Sequence, residues 1–267
     1  MIRKLIKYEL LATRRMIIPF QILMISITLM NAIFLRIEKD NGFSNKIIEI
    51  ILTSTQAVVT IATFLFITYW TLRRFYKDIY SEQAYLTHTL PVKSWEHIVS
   101  KVTVAFLWWI TTFIFWFASM IGLGIIIAPE DFREFCTTVI TEWDKITQMI
   151  PMDIMGRYVV HILISIILSG IYFYIKAYCA IGFGQMMPSH KILSSIGFYI
   201  IFGFVENCLS MIIFWDALTE TGEIEESLTS MLQWISKVML YGNIFSIFAV
   251  AIYFIILKYL MEKKLDI

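Results

Sequence analysis

The chain predicts an all-α polytopic membrane protein: six transmembrane helices, an N-terminal amphipathic interfacial helix, a short helix in a cytoplasmic loop, and amphipathic or re-entrant helices on the outer side. Three observations carry this expectation. Hydrophobic residues make up 58% and charged residues 16% of 267 positions, with a mean hydropathy of +0.73. That is more apolar surface than one water-soluble core can hide. Apolar runs near 17–35, 47–72, 98–128, 158–183, 192–215 and 238–260 each reach about the 20 residues that a hydrocarbon core of roughly 30 Å requires.

The third observation is the sorting of charge. With a cytoplasmic N-terminus, fifteen of the 22 basic residues fall on the cytoplasmic side, among them Arg3, Lys4, Lys7, Arg14, Arg15, Arg73, Arg74, Lys77, Lys93 and Lys101. The outer segments hold the other seven, against fourteen acids that include Glu130, Asp131, Glu134 and the stretch Asp216 to Glu226. The positive-inside rule then places both termini in the cytoplasm. No signal cleavage site is evident before the first apolar run, which is expected to stay as an anchor. The net charge of +1 gives no reason to expect a nucleic-acid partner.

Taken in order, residues 1–16 form an expected amphipathic elbow helix, with 17–267 the six-helix transmembrane domain. In "IRKLIKYELLATRR", Ile2, Leu5, Ile6, Leu10 and Ala12 share an arc and the cations lie opposite, a pattern for a helix lying along the inner leaflet. Glu9 falls within that arc and calls for an ion pair or a shallow position reaching water. Between spans two and three, in a loop of residues 73–97, Ser81 can cap a short helix that Pro91 ends, since a proline disfavours helical geometry at Leu90. Such a helix is marginal alone and needs a surface to dock on. Ser94 is the expected N-cap of span three, with Glu96 in its first turn.

The outer segment 129–156 opens on Pro129, Glu130 and Asp131 and then repeats Phe132, Phe135, Cys136, Val139, Ile140, Trp143, Ile146 and Ile150. Spacing of this kind predicts an amphipathic helix. A second outer segment, 216–237, carries Ile224, Leu228, Met231, Leu232 and Ile235 on one stripe and reads as a helix dipping toward the bilayer before span six. Ser165 with Ser169, Ala118 with Gly122, and Gly182 with Gly184 are small-residue packing signals.

Several chemistries are absent from the pattern. No P-loop motif is present, so any ATP belongs to another polypeptide, and neither a metal-ligand spacing nor a nucleophile elbow occurs. No catalytic residue, metal site or cofactor is expected in this chain, and it does not read as an enzyme. Cys136, Cys179 and Cys208 have no framework spacing and read as packing residues.

Two charges remain inside spans. Glu206, beside Asn207 in span five, costs on the order of 3 kcal/mol if ionised at mid-bilayer and must face protein or water. Two readings stand: a cation-sensitive or gating pair in a transport pathway, or a protonated Glu206 hydrogen-bonded to a neighbouring helix. Lys176, near the cytoplasmic end of span four, reads as a snorkelling anchor.

The stretch "EQAYLTHTLPVKSWEHIVSK", with the "KYEL" of the start and the six-span layout, resembles the small permease subunits of the ABC-2 (type V exporter) family. The resemblance implies a bacterial cytoplasmic-membrane exporter subunit that pairs with a second permease copy or paralogue and is driven by a separate dimeric ATPase holding ATP and Mg. It makes Glu82, Tyr85, Leu86, Thr87, His88, Leu90 and Pro91 the contacts of a coupling helix with that ATPase, and Glu9 part of the elbow helix. The segment 129–156 is longer than the family's usual turn. The alternative is an ATPase-driven sensing or resistance complex that moves no cargo.

Overall fold

The computed structural model describes residues 2–41, 46–81, 92–149, 152–213, 215 and 228–263, nearly all helical, with no strand among them. Among the described residues seven helices follow one another: α1 (Ile2–Asp40), α2 (Lys46–Tyr80), α3 (Ser94–Ile127), α4 (Pro129–Met149), α5 (Met152–Gly184), α6 (Lys191–Ile213) and α7 (Leu228–Lys263). All but α4 are long and apolar enough to cross a bilayer, which bears out six membrane-spanning helices. The chain divides into two compact units, one of residues 2–73 and 103–144, the other of residues 74–102 and 145–267.

The first unit is organised by a polar stripe on α1. Thr13, Ile17, Gln21, Met24, Thr28, Asn31 and Ala32 are its buried residues, recurring at helical spacing on one face. Trp108 Nε1 donates to Thr13 Oγ1 at 2.7 Å, and Gln21 Nε2 donates to Thr112 Oγ1 at 2.9 Å, so two rungs join α1 to α3. Two more join it to α2: Gln56 Nε2 donates to Thr28 Oγ1 at 2.7 Å, and Asn31 Nδ2 donates to the Leu52 carbonyl at 3.1 Å. Ile17, Ile67, Val104 and Trp108 fill the space between rungs. Stacking of Phe20 on Phe66, with centroids 3.6 Å apart, continues that packing.

The expected elbow is not a separate element. Residues 2–16 run into the first span as one helix, and Pro19, inside it, lacks the N–H that would have bonded the Arg15 carbonyl without ending the helix. Ile6 and Leu10 pack against the Ile17–Trp108 cluster, so this apolar arc is met by protein. Ala12, expected on the arc, is exposed.

Other boundaries differ in detail. α2 continues past the expected span end near 72 to Tyr80. Ser94 is the first helical residue of α3, and Lys93 takes the cap position, its N–H donating to the Glu96 carboxylate at 3.4 Å. The short loop helix falls on residues 82–91, outside the described residues. Of the second outer segment, 216–227 also lie outside them, while 228–237 form the unbroken start of α7 and make no separate re-entrant helix.

In the second unit α5 packs on both α6 and α7. Gly182 permits a close approach: a Cβ there would stand 2.9 Å from the Tyr80 hydroxyl and 3.1 Å from Leu260. At Gly184 a Cβ would overlap Ser195, so the end of α5 and the first turn of α6 nearly touch. His190 makes the connecting turn with φ of 53°, and its carbonyl accepts from Ser194 N–H at 2.9 Å. Ser165 donates to Asn243 Oδ1 at 2.8 Å, joining α5 to α7, but no atom lies within 4 Å of where a Gly122 Cβ would stand. Cys179 is buried and fits its packing role, whereas Cys208 is exposed.

The polar rungs lead to a stability prediction. Replacing Gln56 by Leu removes the donor to Thr28, and interhelical hydrogen bonds in membranes contribute about 0.6 kcal/mol on average and up to roughly 1.7. Thermal unfolding in detergent should therefore show Gln56→Leu destabilised within that range, and Thr53→Leu on an exposed face of the same helix unchanged.

Candidate intramembrane charge site

The helix pairings of the second unit bring one charge from α5 to one from α6. Lys176 Nζ donates to Glu206 Oε2, and the two side chains are only 8% and 11% exposed. Tyr253, on α7, donates from its hydroxyl to Glu206 Oε1. Each carboxylate oxygen thus has its own donor, and α5, α6 and α7 meet at a single group.

Aromatic rings complete the surroundings of the ammonium. Lys176 Nζ lies 4.9 Å from the Tyr199 ring centroid and 5.6 Å from that of Tyr172, within cation–π range. The Tyr172 and Tyr253 rings are 6.4 Å apart, and Phe202 stands 5.3 Å from Tyr253. Gly203, one turn before Glu206, lets the ammonium approach the α6 backbone, since a Cβ there would stand 3.3 Å from Nζ.

The position of Lys176 explains why it does not snorkel. It lies eight residues before Gly184, which is about 12 Å along a helix rising 1.5 Å per residue. Its ammonium turns to α6, where the Glu206 carboxylate and the Tyr199 ring, with Tyr172 of its own helix, replace water. The anchor reading of Lys176 is therefore corrected: its ammonium is held against Glu206 on the neighbouring helix. Asn207 does not join the cluster: it is exposed, and its Nδ2 donates to the Gly203 carbonyl at 2.7 Å.

The pairing had a signal in the sequence. Ionisable residues within spans pair with one another, and the chain has one cation and one anion in consecutive apolar segments. Reading each by its distance from a helix end hid the pair.

A second buried pair stands beside the loop between α2 and α3. Lys101 Nζ donates to Asp78 Oδ2, with side chains 6% and 19% exposed, and Arg74 Nε lies 3.6 Å from the same oxygen. Phe75, one turn earlier on α2, stacks on Tyr178 of α5 with centroids 3.8 Å apart and planes 7° from parallel. The ends of both helices flanking residues 82–91 are thereby tied together, and one of them is tied to α5 two residues from Lys176.

The remaining expected site residues divide by location. Glu82, Tyr85, Leu86, Thr87, His88, Leu90 and Pro91 lie outside the described residues. Glu9 is half-buried on the packed face of α1, and its carbonyl accepts from Thr13 Oγ1 at 2.9 Å. Among the described residues no group of His, Cys, Asp and Glu is placed to hold a metal ion. Comparison with protein-family models, curated proteins and solved structures finds no match.

Breaking a buried pair by removing one partner strands the other charge, at a cost of about 3 to 5 kcal/mol, while replacing both with apolar groups is often neutral. Lys176→Met and Glu206→Leu should each lower the unfolding temperature in detergent. The double variant should recover most of the loss. Additive losses in the double variant would mean that the two charges are held independently.

Proposed function

We propose that this chain is the transmembrane subunit of an ATP-driven exporter in the bacterial cytoplasmic membrane, working as a pair with a second permease and coupled to a separate ATPase. The observation that carries this reading is the stretch from Glu82 to Lys101, with its resemblance to the coupling segment of ABC-2 permeases, together with the six membrane-length helices around it. The absence of a P-loop motif requires the nucleotide to be handled elsewhere.

The anchoring of the segment's two ends supports a mechanical role. A helix of under three turns transmits force only if its ends are held. Asp78 with Lys101 holds the end of α2 to the start of α3, and Phe75 with Tyr178, then Tyr80 against Gly182, hold α2 to α5. A push by an ATPase on residues 82–91 thus reaches α5, which carries Lys176. In this mechanism the Lys176–Glu206 pair is a contact that forms and breaks as α5 moves against α6. Its low-dielectric setting makes the paired and separated arrangements discrete, because a half-separated pair has neither water nor partner.

In this reading both termini and residues 82–91 lie on the cytoplasmic side, and the excess of basic residues in those segments supports it. Lys176 leaves that count, since it is paired within a span, but the excess of basic residues keeps its sign. In a background without the three native cysteines, a membrane-impermeant thiol reagent added to intact cells should label Thr141→Cys and Glu225→Cys and spare His88→Cys and Lys263→Cys. Labelling of His88→Cys from outside would overturn the topology and the coupling role together.

The coupling role has its own test. Tyr85→Ala and Leu86→Ala remove the sort of buried anchor that contributes about 1 to 3 kcal/mol at an interface, which corresponds to roughly tenfold or more in ATPase binding. Retention of the ATPase and ATP-driven transport should fall together, with membrane insertion and pairing of the permease unaffected. Stimulated ATPase activity without any vesicle flux would favour the sensing complex over the exporter.

A further inference from the structure

We propose that α4 is an interfacial helix whose apolar face rests in the outer leaflet of the same membrane that the chain crosses. The geometry that points to this is the corner between α3 and α4, contained within the unit of residues 2–73 and 103–144. Ala128 is the single residue between the helices; its N–H bonds the Gly124 carbonyl at 3.1 Å and its own carbonyl accepts from Phe132 N–H at 2.9 Å. It therefore ends one helix and begins the next, and Pro129 opens α4 at the position where a missing N–H is harmless.

The chain bends at this corner. Residues 124 and 132 would be about 12 Å apart along a continuous helix, yet the ring of Phe132 comes within 3.0 Å of where a Gly124 Cβ would stand. A bend of the chain toward the Gly124 side of α3 brings them together. Arg36 donates to the Ile127 carbonyl at 3.4 Å, satisfying the end of α3, and Lys39 pairs with Asp131 at 3.4 Å.

That contact also orients the helix. Phe132 lies on the apolar stripe, and Gly124 lies inside the span, so the stripe faces the bilayer side of the corner. Phe135, Val139, Ile140 and Trp143 continue it, between 47% and 64% exposed, and no part of the described chain covers them. Thr137, Thr141 and Glu134 fall on the opposite face. The lipid-facing surface of α3, which includes Phe117, Ile121 and Ile125, is thereby continued by the stripe of α4. In sequence, α5 starts at Met152, three residues after the end of α4. Trp143 and Phe135 suit the headgroup level.

Charge narrows the kind of surface. α4 has five acids, Glu130, Asp131, Glu134, Glu142 and Asp144, against Arg133 and Lys145. Anionic lipid repels such a helix, so apolar burial holds it and a zwitterionic leaflet suffices.

The test uses the full-length protein in nanodiscs of phosphatidylcholine, with the native cysteines replaced and nitroxide labels placed singly at Phe135→Cys, Val139→Cys, Trp143→Cys, Thr137→Cys and Thr141→Cys. Accessibility to oxygen, which concentrates in lipid, and to a water-soluble nickel chelate should separate the two faces. The oxygen-to-nickel ratio is expected to be several-fold higher at 135, 139 and 143 than at 137 and 141. Low accessibility to both reagents at 135, 139 and 143 would overturn the proposal in favour of a protein partner, such as a second copy. High nickel accessibility at all five positions, or a pattern that appears only with anionic lipid, would overturn it as well.

Discussion

Inside a bilayer, apolar side chains gain little by exchanging lipid for one another, so the helices of this chain depend on polar contacts and close approaches to choose their neighbours. The buried face of α1 follows directly from that constraint. A water-soluble helix would place aliphatic residues on its packed face; α1 places Thr13, Gln21, Thr28 and Asn31 there, and each reaches a partner on itself or a neighbouring helix. Its aliphatic residues, such as Ile22, Leu29, Ile33 and Phe34, are turned outward. The pattern is inverted relative to a soluble protein because the solvent is inverted.

The same constraint acts more sharply where the polar groups carry full charge. Lys176 and Glu206 are tolerable in an apolar span because each satisfies the other, with Tyr253 bonding the second carboxylate oxygen and tyrosine rings flanking the ammonium. An uncharged pair of similar volume would hold the helices as well or better. An ion pair is therefore a poor device for stability alone and a suitable one for a contact that must be either made or broken. Its position on α5 is adjacent to the Phe75–Tyr178 stack, which joins the end of α2 to the same helix.

Several features were legible because they depend on neighbours in sequence. The apolar runs mark the six long helices, and the 3.6-residue period of 132–146 marks α4, with Pro129 and two acids at its start. The small residues at 182 and 184 mark a close approach. Others depended on distant residues. Nothing near residue 16 reveals that the amphipathic start continues into the first span, since its arc is equally suited to lipid or to Trp108 and Ile67. Lys176 taken alone has the position of an anchor, and Asn207 was joined to Glu206 by adjacency although successive residues on a helix point about 100° apart.

The sequence by itself determined that this protein lies in a membrane, how many times its helices are long enough to cross it, and which segments are amphipathic. Hydrophobicity summed over some twenty residues and periodicity over a few turns are local quantities, independent of what the helices meet. Only the tertiary structure decided which polar residues face one another: that Gln21 reaches Thr112, that Asp78 reaches Lys101, and that Lys176 reaches Glu206. The reason is geometric. Partner choice depends on the rotation and offset of one helix against another. A shift of one residue turns a side chain by 100°, and in lipid no general apolar attraction sets that rotation before the polar groups meet.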